Sequence, residues 1–164
     1  SGTVDEGVLA RLMDHPYFDR MPPKSLDRND FSLDALFSQD DLAGLSLEDG
    51  AATLAAFTVE AVARSPYPAQ PQSVHVTGGG RKNETLMTRL AARLGVRVGP
   101  IEEVGYDGDA LEAQAFAFLA VRHIRGLPMS FPSTTAVPEP LCGGRLCGPA
   151  GEGRKTPRES QSAA

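Results

Sequence analysis

The sequence predicts an α/β fold: a short sheet packed by helices, followed by a disordered tail. Three observations carry this. Residues 74–101 read in the order strand, glycine turn, helix, strand. Two long apolar-patterned segments, 47–64 and 109–125, read as helices. From about residue 148 the chain (GPAGEGRKTPRESQSAA) holds no large apolar residue and lacks what a packed core requires. The expected organisation is one domain over 1–147 and a disordered tail over 148–164.

The elements follow in order. Val8, Leu9, Leu12 and Met13 fall at helical spacing over 4–14, with Asp5 as N-cap. His15-Pro16 ends that helix, because the residue before proline is pushed out of the helical region. Residues 15–32 read as an ordered loop, pinned by Tyr17, Phe18, Met21 and Phe31 and stiffened by Pro22-Pro23. A second short helix or turn is expected over 33–43. Ser46 caps the helix at 47–64, whose expected inner face is Leu47, Ala51, Leu54, Ala55, Thr58, Val59 and Val62. Val74-His75-Val76-Thr77 is a β-rich run that meets Gly78-Gly79-Gly80 directly. An amphipathic helix then runs from Asn83 to Leu94 and stops at Gly95, and Val96-Arg97-Val98 with Ile101 begins another strand. That order makes a crossover between parallel strands. Over 109–125 both faces are apolar, which predicts a buried helix. Residues 127–141 are irregular and punctuated by proline.

Composition excludes several classes. The formal charge is −5, from 16 Lys and Arg against 21 Asp and Glu, with no basic run to attract nucleic acid or an anionic membrane. Seventeen glycines and 13 prolines fall short of a disordered composition. Two cysteines cannot build a disulfide framework or a complete cysteine zinc site, and Cys142 and Cys147 read as exposed, incidental thiols. His15, His75 and His123 show no metal-ligand spacing. No apolar run approaches the roughly 20 residues of a membrane helix, and no secretory leader opens the chain. The expectation is a soluble intracellular protein, or, since the chain opens Ser1-Gly2 without Met, a fragment of something longer.

Two constellations carry candidate chemistry. The triple glycine between strand and helix lets backbone amides approach a phosphate or nucleotide, though it is neither a Walker loop nor GxGxxG. The same residues also serve as a plain strand-to-helix turn, and the pattern leaves both readings open. In Gly105–Ala113 (GYDGDALEA), Asp109 at N-cap and Glu112 at N3 have capping-box spacing. The capping box is the first reading of that spacing; Glu112, opening an otherwise apolar helix near the glycine turn, is the alternative candidate as an acceptor for a sugar hydroxyl. Lys24-Ser25 reads as a solvated loop and Thr134-Thr135 as a turn.

Five blocks in order carry a resemblance: HPYF…PPKS…DF (15–31), DGAATLAAFT (49–58), GGGRKNETLM (78–87), GDALEAQAFAFLAVR (108–122) and GLPMSFPSTT (126–135). Over about residues 4–147 the chain resembles the C-terminal half of the anhydro-N-acetylmuramic acid kinases. The resemblance implies the C-terminal domain of the actin/hexokinase-like ATPase fold. It implies ATP-dependent phosphorylation of the 6-position of 1,6-anhydro-N-acetylmuramic acid with hydrolytic ring opening, a step of peptidoglycan recycling in the bacterial cytoplasm. ATP and Mg2+ are the implied cofactors. Gly78, Gly79, Gly80 and Asn83 are the implied nucleotide contacts, and Glu112 the implied sugar contact. The implied partners are the sugar, ATP and an N-terminal half, with a homodimer left open and neither nucleic acid nor membrane involved.

The departures matter as well. The family's SGTSxDG phosphate loop and its DxGGxAN segment, which carries the aspartate base, do not occur here, so no residue of this chain is assigned as catalytic or metal-binding. PPKS is followed by Leu26-Asp27-Arg28 where the family usually has Thr-Gly-Arg, and the usual PGTTG stands as Pro132-Ser133-Thr134-Thr135-Ala136. A non-catalytic truncated remnant, or a nucleotide-binding module built on the glycine turn alone, are the alternative readings. On any of them the isolated chain is expected to be inactive as a kinase.

Overall fold

The computed structural model describes residues 2–26, 44–67 and 69–147, and the backbone of the pair Gly153–Arg154. The expected helix at 33–43, the anchor Phe31 and nearly all of the expected tail fall outside those residues. The chain divides into two compact units, one of residues 1–22 and 26–109, the other of residues 23–25 and 110–164.

In the first unit, helix α1 (Glu6–Met13) starts where the Asp5 carboxylate accepts from the Val8 N–H at 2.8 Å. A turn of 3-10 helix, Pro16–Asp19, follows at once, with His15 Nδ1 accepting from the Tyr17 N–H. Helix α2 (Leu47–Ala63) opens on Ser46, whose hydroxyl accepts from the Asp49 N–H. Val8 and Leu12 of α1 meet Phe18 and Phe57 to form the core, and the two rings pack edge to face at 6.1 Å. Arg64 closes the rim: it stands 5.7 Å over the Phe18 ring and donates to the Met13 carbonyl and to Asp19.

The inner face of α2 differs from the one the sequence suggests. Val59 is buried as expected, but Thr53 and Phe57, which lie outside the expected face, are buried with it, while Leu47, Ala51 and Thr58 are exposed. Helical spacing fixes which residues share a face. It does not fix which face meets α1, and here a polar residue decides. Thr53, only 1% exposed, accepts from the Asp5 N–H at 2.9 Å and donates to the Asp49 carbonyl at 2.8 Å. Both polar functions of its hydroxyl are thereby satisfied in the interior. Met21, expected as an anchor of the following loop, is 83% exposed, so Tyr17 and Phe18 do that work without it.

The crossover forms as the sequence predicts. Strand β1 (Ser73–Val76) pairs in parallel with β2 (Arg97–Pro100), in the register Ser73↔Arg97 to Val76↔Pro100. Helix α3 (Glu84–Leu94) connects them, and Ile101, expected in the strand, begins a 3-10 turn instead. α3 packs on α2, with Leu90 of α3 and Val59 of α2 both buried, Arg89 Nη1 donating to the Ala52 carbonyl at 3.1 Å, and an Arg93–Glu60 ion pair at 2.7 Å.

The second unit holds α4 (Leu111–Ile124), the short helix α5 (Pro132–Thr135) and an antiparallel pair of two-residue strands, β3 (Leu146–Cys147) and β4 (Gly153–Arg154). The expectation of a buried helix here is overturned. No residue of α4 is buried, and Phe116, Phe118, Val121 and Ile124 are exposed, Phe116 to 65%. An all-round apolar pattern calls for cover on every side, and the described residues supply little of it.

Candidate functional site

The glycine turn sits at the carboxyl end of β1, and the 3-10 turn Ile101–Val104 sits at the carboxyl end of β2. Because the strands are parallel, these two ends are neighbours. That edge of an open α/β sheet is where ligands ordinarily bind.

The turn itself is built from distinct glycines. Gly78 has φ +72°, a conformation that a side chain would strain. Gly79 carries no such constraint: its φ is ordinary, and nothing lies within 4 Å of where a Cβ would stand. Among the described residues the space at that position is open. Gly80 is tighter, its would-be Cβ standing 3.4 Å from Leu86. Gly79–Lys82 then makes one turn of 3-10 helix before α3. Asn83 is the N-cap of α3, its side-chain oxygen accepting from the Leu86 N–H at 3.1 Å. The cap occupies that oxygen and fixes the side chain beside the turn.

The basic residues after the glycines are already engaged. The Arg81 side chain is only 5% exposed. Its Nη1 donates to the Gly78 carbonyl at 2.8 Å, its Nε to Glu102 Oε1 at 2.8 Å, and its Nη2 lies 3.0 Å from Asp109 Oδ1. Lys82 donates to both Asp109 oxygens at 3.0 Å. Glu102 also accepts from the Gly108 N–H. A Cβ at Gly108 would run into the Arg81 side chain, so glycine there makes room for the guanidinium. These contacts shift the acids downward. Asp109 is held below the usual carboxylate range by Lys82 first and then Arg81. Glu102 is held there by its own backbone N–H, and further by Arg81 and the Gly108 N–H, against the opposing pull of desolvation.

The predicted capping box at Asp109 and Glu112 does not form. Asp109 spends its carboxylate on Lys82 and Arg81, and the N-cap of α4 is Ala110, with no side-chain bond. Glu112 is therefore an exposed side chain in the first turn of α4, at the opening of a helix that is not buried. It belongs to the second unit, whereas Gly78, Gly79, Gly80 and Asn83 stand together in the first. Sequence reasoning passed over Arg81 and Glu102. The signal was present: the residue that follows the glycines and the acids that follow β2 occupy adjacent strand ends in any parallel crossover.

Elsewhere in the second unit, the 126–135 block is tied to α4 by Arg122. Its Nε donates to the Pro128 carbonyl at 2.6 Å, and its guanidinium stacks 5.5 Å from the Phe118 ring and 5.7 Å from the Phe131 ring. Thr134 and Thr135 return their hydroxyls to the Phe131 carbonyl, at 3.0 and 3.4 Å. Cys142 and Cys147 are free and exposed. Among the described residues no three His, Cys, Asp or Glu side chains stand together to hold a metal ion, and no helix is long and apolar enough to cross a membrane.

The first unit is thus an α/β crossover with a glycine turn at the carboxyl end of its first strand. The family model for anhydro-N-acetylmuramic acid kinase matches residues 1–147, and the chain belongs to that family. Three curated relatives of that name show the extent of the likeness. The one from Acidiphilium cryptum (strain JF-5) is 54% identical over 154 residues, 93% of this chain and 42% of the relative. The one from Mesorhizobium japonicum is 52% identical over 90% of this chain and 39% of the relative. The one from Rhodospirillum rubrum is 54% identical over 88% of this chain and 37% of the relative. The chain thus spans about 40% of the length of the curated relatives it matches.

Proposed function

We propose that this chain is the C-terminal part of a kinase that transfers a phosphoryl group from ATP to the 6-position of 1,6-anhydro-N-acetylmuramic acid. Water opens the anhydro bridge, and the product is N-acetylmuramic acid 6-phosphate. The reading places the reaction in peptidoglycan recycling in the bacterial cytoplasm and the fold among the actin/hexokinase-like ATPases. The family match over residues 1–147 supports it. The observation in the structure that carries it is Gly79. Its φ is ordinary and its Cβ position is open among the described residues, so at this carboxyl strand end the backbone is left accessible to a ligand.

On this reading Gly78, Gly79 and Gly80 form one wall of the ATP pocket, with Asn83 beside them. Glu112 accepts hydrogen bonds from sugar hydroxyls. When bound, ATP supplies the phosphoryl group. Phosphoryl transfer rests on positioning and on charge stabilisation, with a base to orient the nucleophile. On this reading neither that base nor the Mg2+ site is assigned to residues of this chain. Those parts belong to the N-terminal half that carries the family's phosphate loop and aspartate.

The test is an assay of phosphorylated product by the purified chain, alone and mixed with an N-terminal half from a family member. Product only in the mixture supports the proposal. Product from the chain alone, at the family's rate, overturns the division of labour, and no product from a mixture that forms a stable complex favours a non-catalytic remnant. Glu112→Gln in the full-length kinase tests the sugar contact. Stability is expected to be unchanged, because Glu112 caps nothing here. Turnover is expected to fall about tenfold as a charge-assisted bond becomes a neutral one. Unchanged turnover and sugar KM remove Glu112 from the site.

A further inference from the structure

We infer that Arg81 is a positioning residue for the nucleotide, acting through the peptide between Gly78 and Gly79 and not through a phosphate. The inference rests on the proposal that ATP meets the glycine turn. A trans peptide is planar, so its carbonyl and its N–H point in opposite directions. Arg81 Nη1 holds the Gly78 carbonyl at 2.8 Å, and this fixes the direction of the Gly79 N–H on the other side of that plane. The same carbonyl accepts from the Arg81 backbone N–H at 3.3 Å, a longer bond that the shorter Nη1 contact reinforces at a glycine, Gly78 at φ +72°, with no side chain of its own to restrain it.

Arg81 is itself anchored at both ends of its fork. Nε is held by Glu102 and Nη2 by Asp109, while Gly108 clears the space that the guanidinium fills. A basic residue beside a glycine turn invites a phosphate-binding role. The geometry points the other way: the Arg81 side chain is 5% exposed and its guanidinium faces two carboxylates, whose charges are balanced by Arg81 and Lys82 together. What Arg81 gives the site is a rigid turn. The guanidinium is planar and can serve three acceptors at once in fixed directions, which an ammonium cannot reproduce.

The experiment uses the full-length kinase carrying this sequence, with Arg81→Lys and Gly79→Ala prepared in parallel. KM for ATP, KM for the sugar, kcat and melting temperature are read for each. Arg81→Lys is expected to raise KM for ATP about tenfold, the worth of one well-placed hydrogen bond, with kcat and the sugar KM within about twofold. Gly79→Ala is expected to raise KM for ATP with the melting temperature kept. An unchanged KM for ATP in both variants removes the nucleotide from the turn. A raised KM in Gly79→Ala with none in Arg81→Lys overturns the positioning role alone. If Arg81→Lys lowers the melting temperature with no change in KM for ATP, Arg81 is a structural staple only. A kcat loss equal to the KM effect would assign Arg81 to the transition state and also overturn the inference. Should Arg81→Lys fail to fold, Glu102→Gln keeps an acceptor for Nε and gives the same reading of KM for ATP in milder form.

Discussion

Helices α2 and α4 have similar apolar patterns and opposite fates. α2 lies between α1 and α3, carries Thr53, Phe57 and Val59 into the interior, and organises the first unit. α4 buries no residue, and Ala113, Phe116, Ala117, Ala120 and Ile124 leave one of its faces open. The difference is one of neighbours. α1 and α3 are each amphipathic and present an apolar stripe to α2, whereas the segment that follows α4 over 127–141 is irregular and broken by proline. An apolar helix specifies that it will be covered. The cover has to come from another segment, and on the proposed reading that segment is the N-terminal half.

The strongest way to break this comparison is to truncate an aromatic ring in each helix. Phe57→Ala in the isolated chain should cost about 3–5 kcal/mol, the range for emptying a packed aromatic site. Phe116→Ala should cost less than about 0.5 kcal/mol, as for an ordinary surface change. Urea denaturation of both variants checks this, and equal costs would mean that α4 is covered within the chain. The same argument predicts that the isolated chain self-associates or binds a hydrophobic dye, and that an N-terminal half suppresses the binding. A clean monomer without dye binding would contradict it.

Next in size is the polar contact that sets the face of α2. Thr53→Val keeps the shape but removes the acceptor for the Asp5 N–H, leaving a half-buried donor without that bond. A loss of about 1–3 kcal/mol is expected, and a near-neutral result would show that the apolar pattern alone orients α2.

Thr53 also marks where the sequence stops being legible. The helices, the caps at Asp5 and Ser46, the parallel crossover and the stop at Gly95 follow from local rules and can be read directly. The face of α2 cannot, because it depends on a hydroxyl 48 residues away from the amide it serves. The glycine turn was visible as a candidate, but its brace was not. The Arg81–Glu102 and Arg81–Asp109 pairs join residues far apart in sequence that only the parallel register brings together. The Asp109–Glu112 capping box failed for the same reason, since long-range ion pairs took the capping carboxylate.

A smaller effect is expected in the second unit. Ala136 is the one non-glycine residue with positive φ among the described residues, at +60°, and it stands where the family's PGTTG motif ends in glycine. The left-handed region costs an alanine about 1–2 kcal/mol, part of which a glycine returns through its greater freedom in the unfolded chain. Ala136→Gly should therefore stabilise the second unit by about 0.5–1 kcal/mol, measured by hydrogen exchange of the Ser130 and Leu141 amides, which pair across the 130–141 bridge. Loss of protection on making this change would mean that the loop does not hold the conformation seen here.

The smallest expected effect separates the two units by pH. Three carboxylates with lowered pKa belong to the first: Asp49, held down by the Thr3 N–H and then Ser46; Glu102, by its own backbone N–H and then Arg81; and Asp109, by Lys82 and then Arg81. A carboxyl group whose pKa is depressed by folding contributes stability that is fully present above its unfolded value. That stability is lost as pH falls through the ordinary carboxylate range and on through the lower folded value. Acid should therefore loosen the first unit through these three sites, at the start of α2 and around the glycine turn. All three are solvent-accessible and screened, so each contribution is modest and should shrink further with added salt. Asp109→Asn removes one of them while keeping an oxygen acceptor. In that variant the acid-induced loss of protection at the Gly108 amide should be smaller than in the parent chain, because one titrating group has been taken out. An identical acid profile in the two proteins would show that the Arg81–Asp109–Lys82 contacts contribute nothing measurable to the turn, and would leave Glu102 as the only acid that braces it.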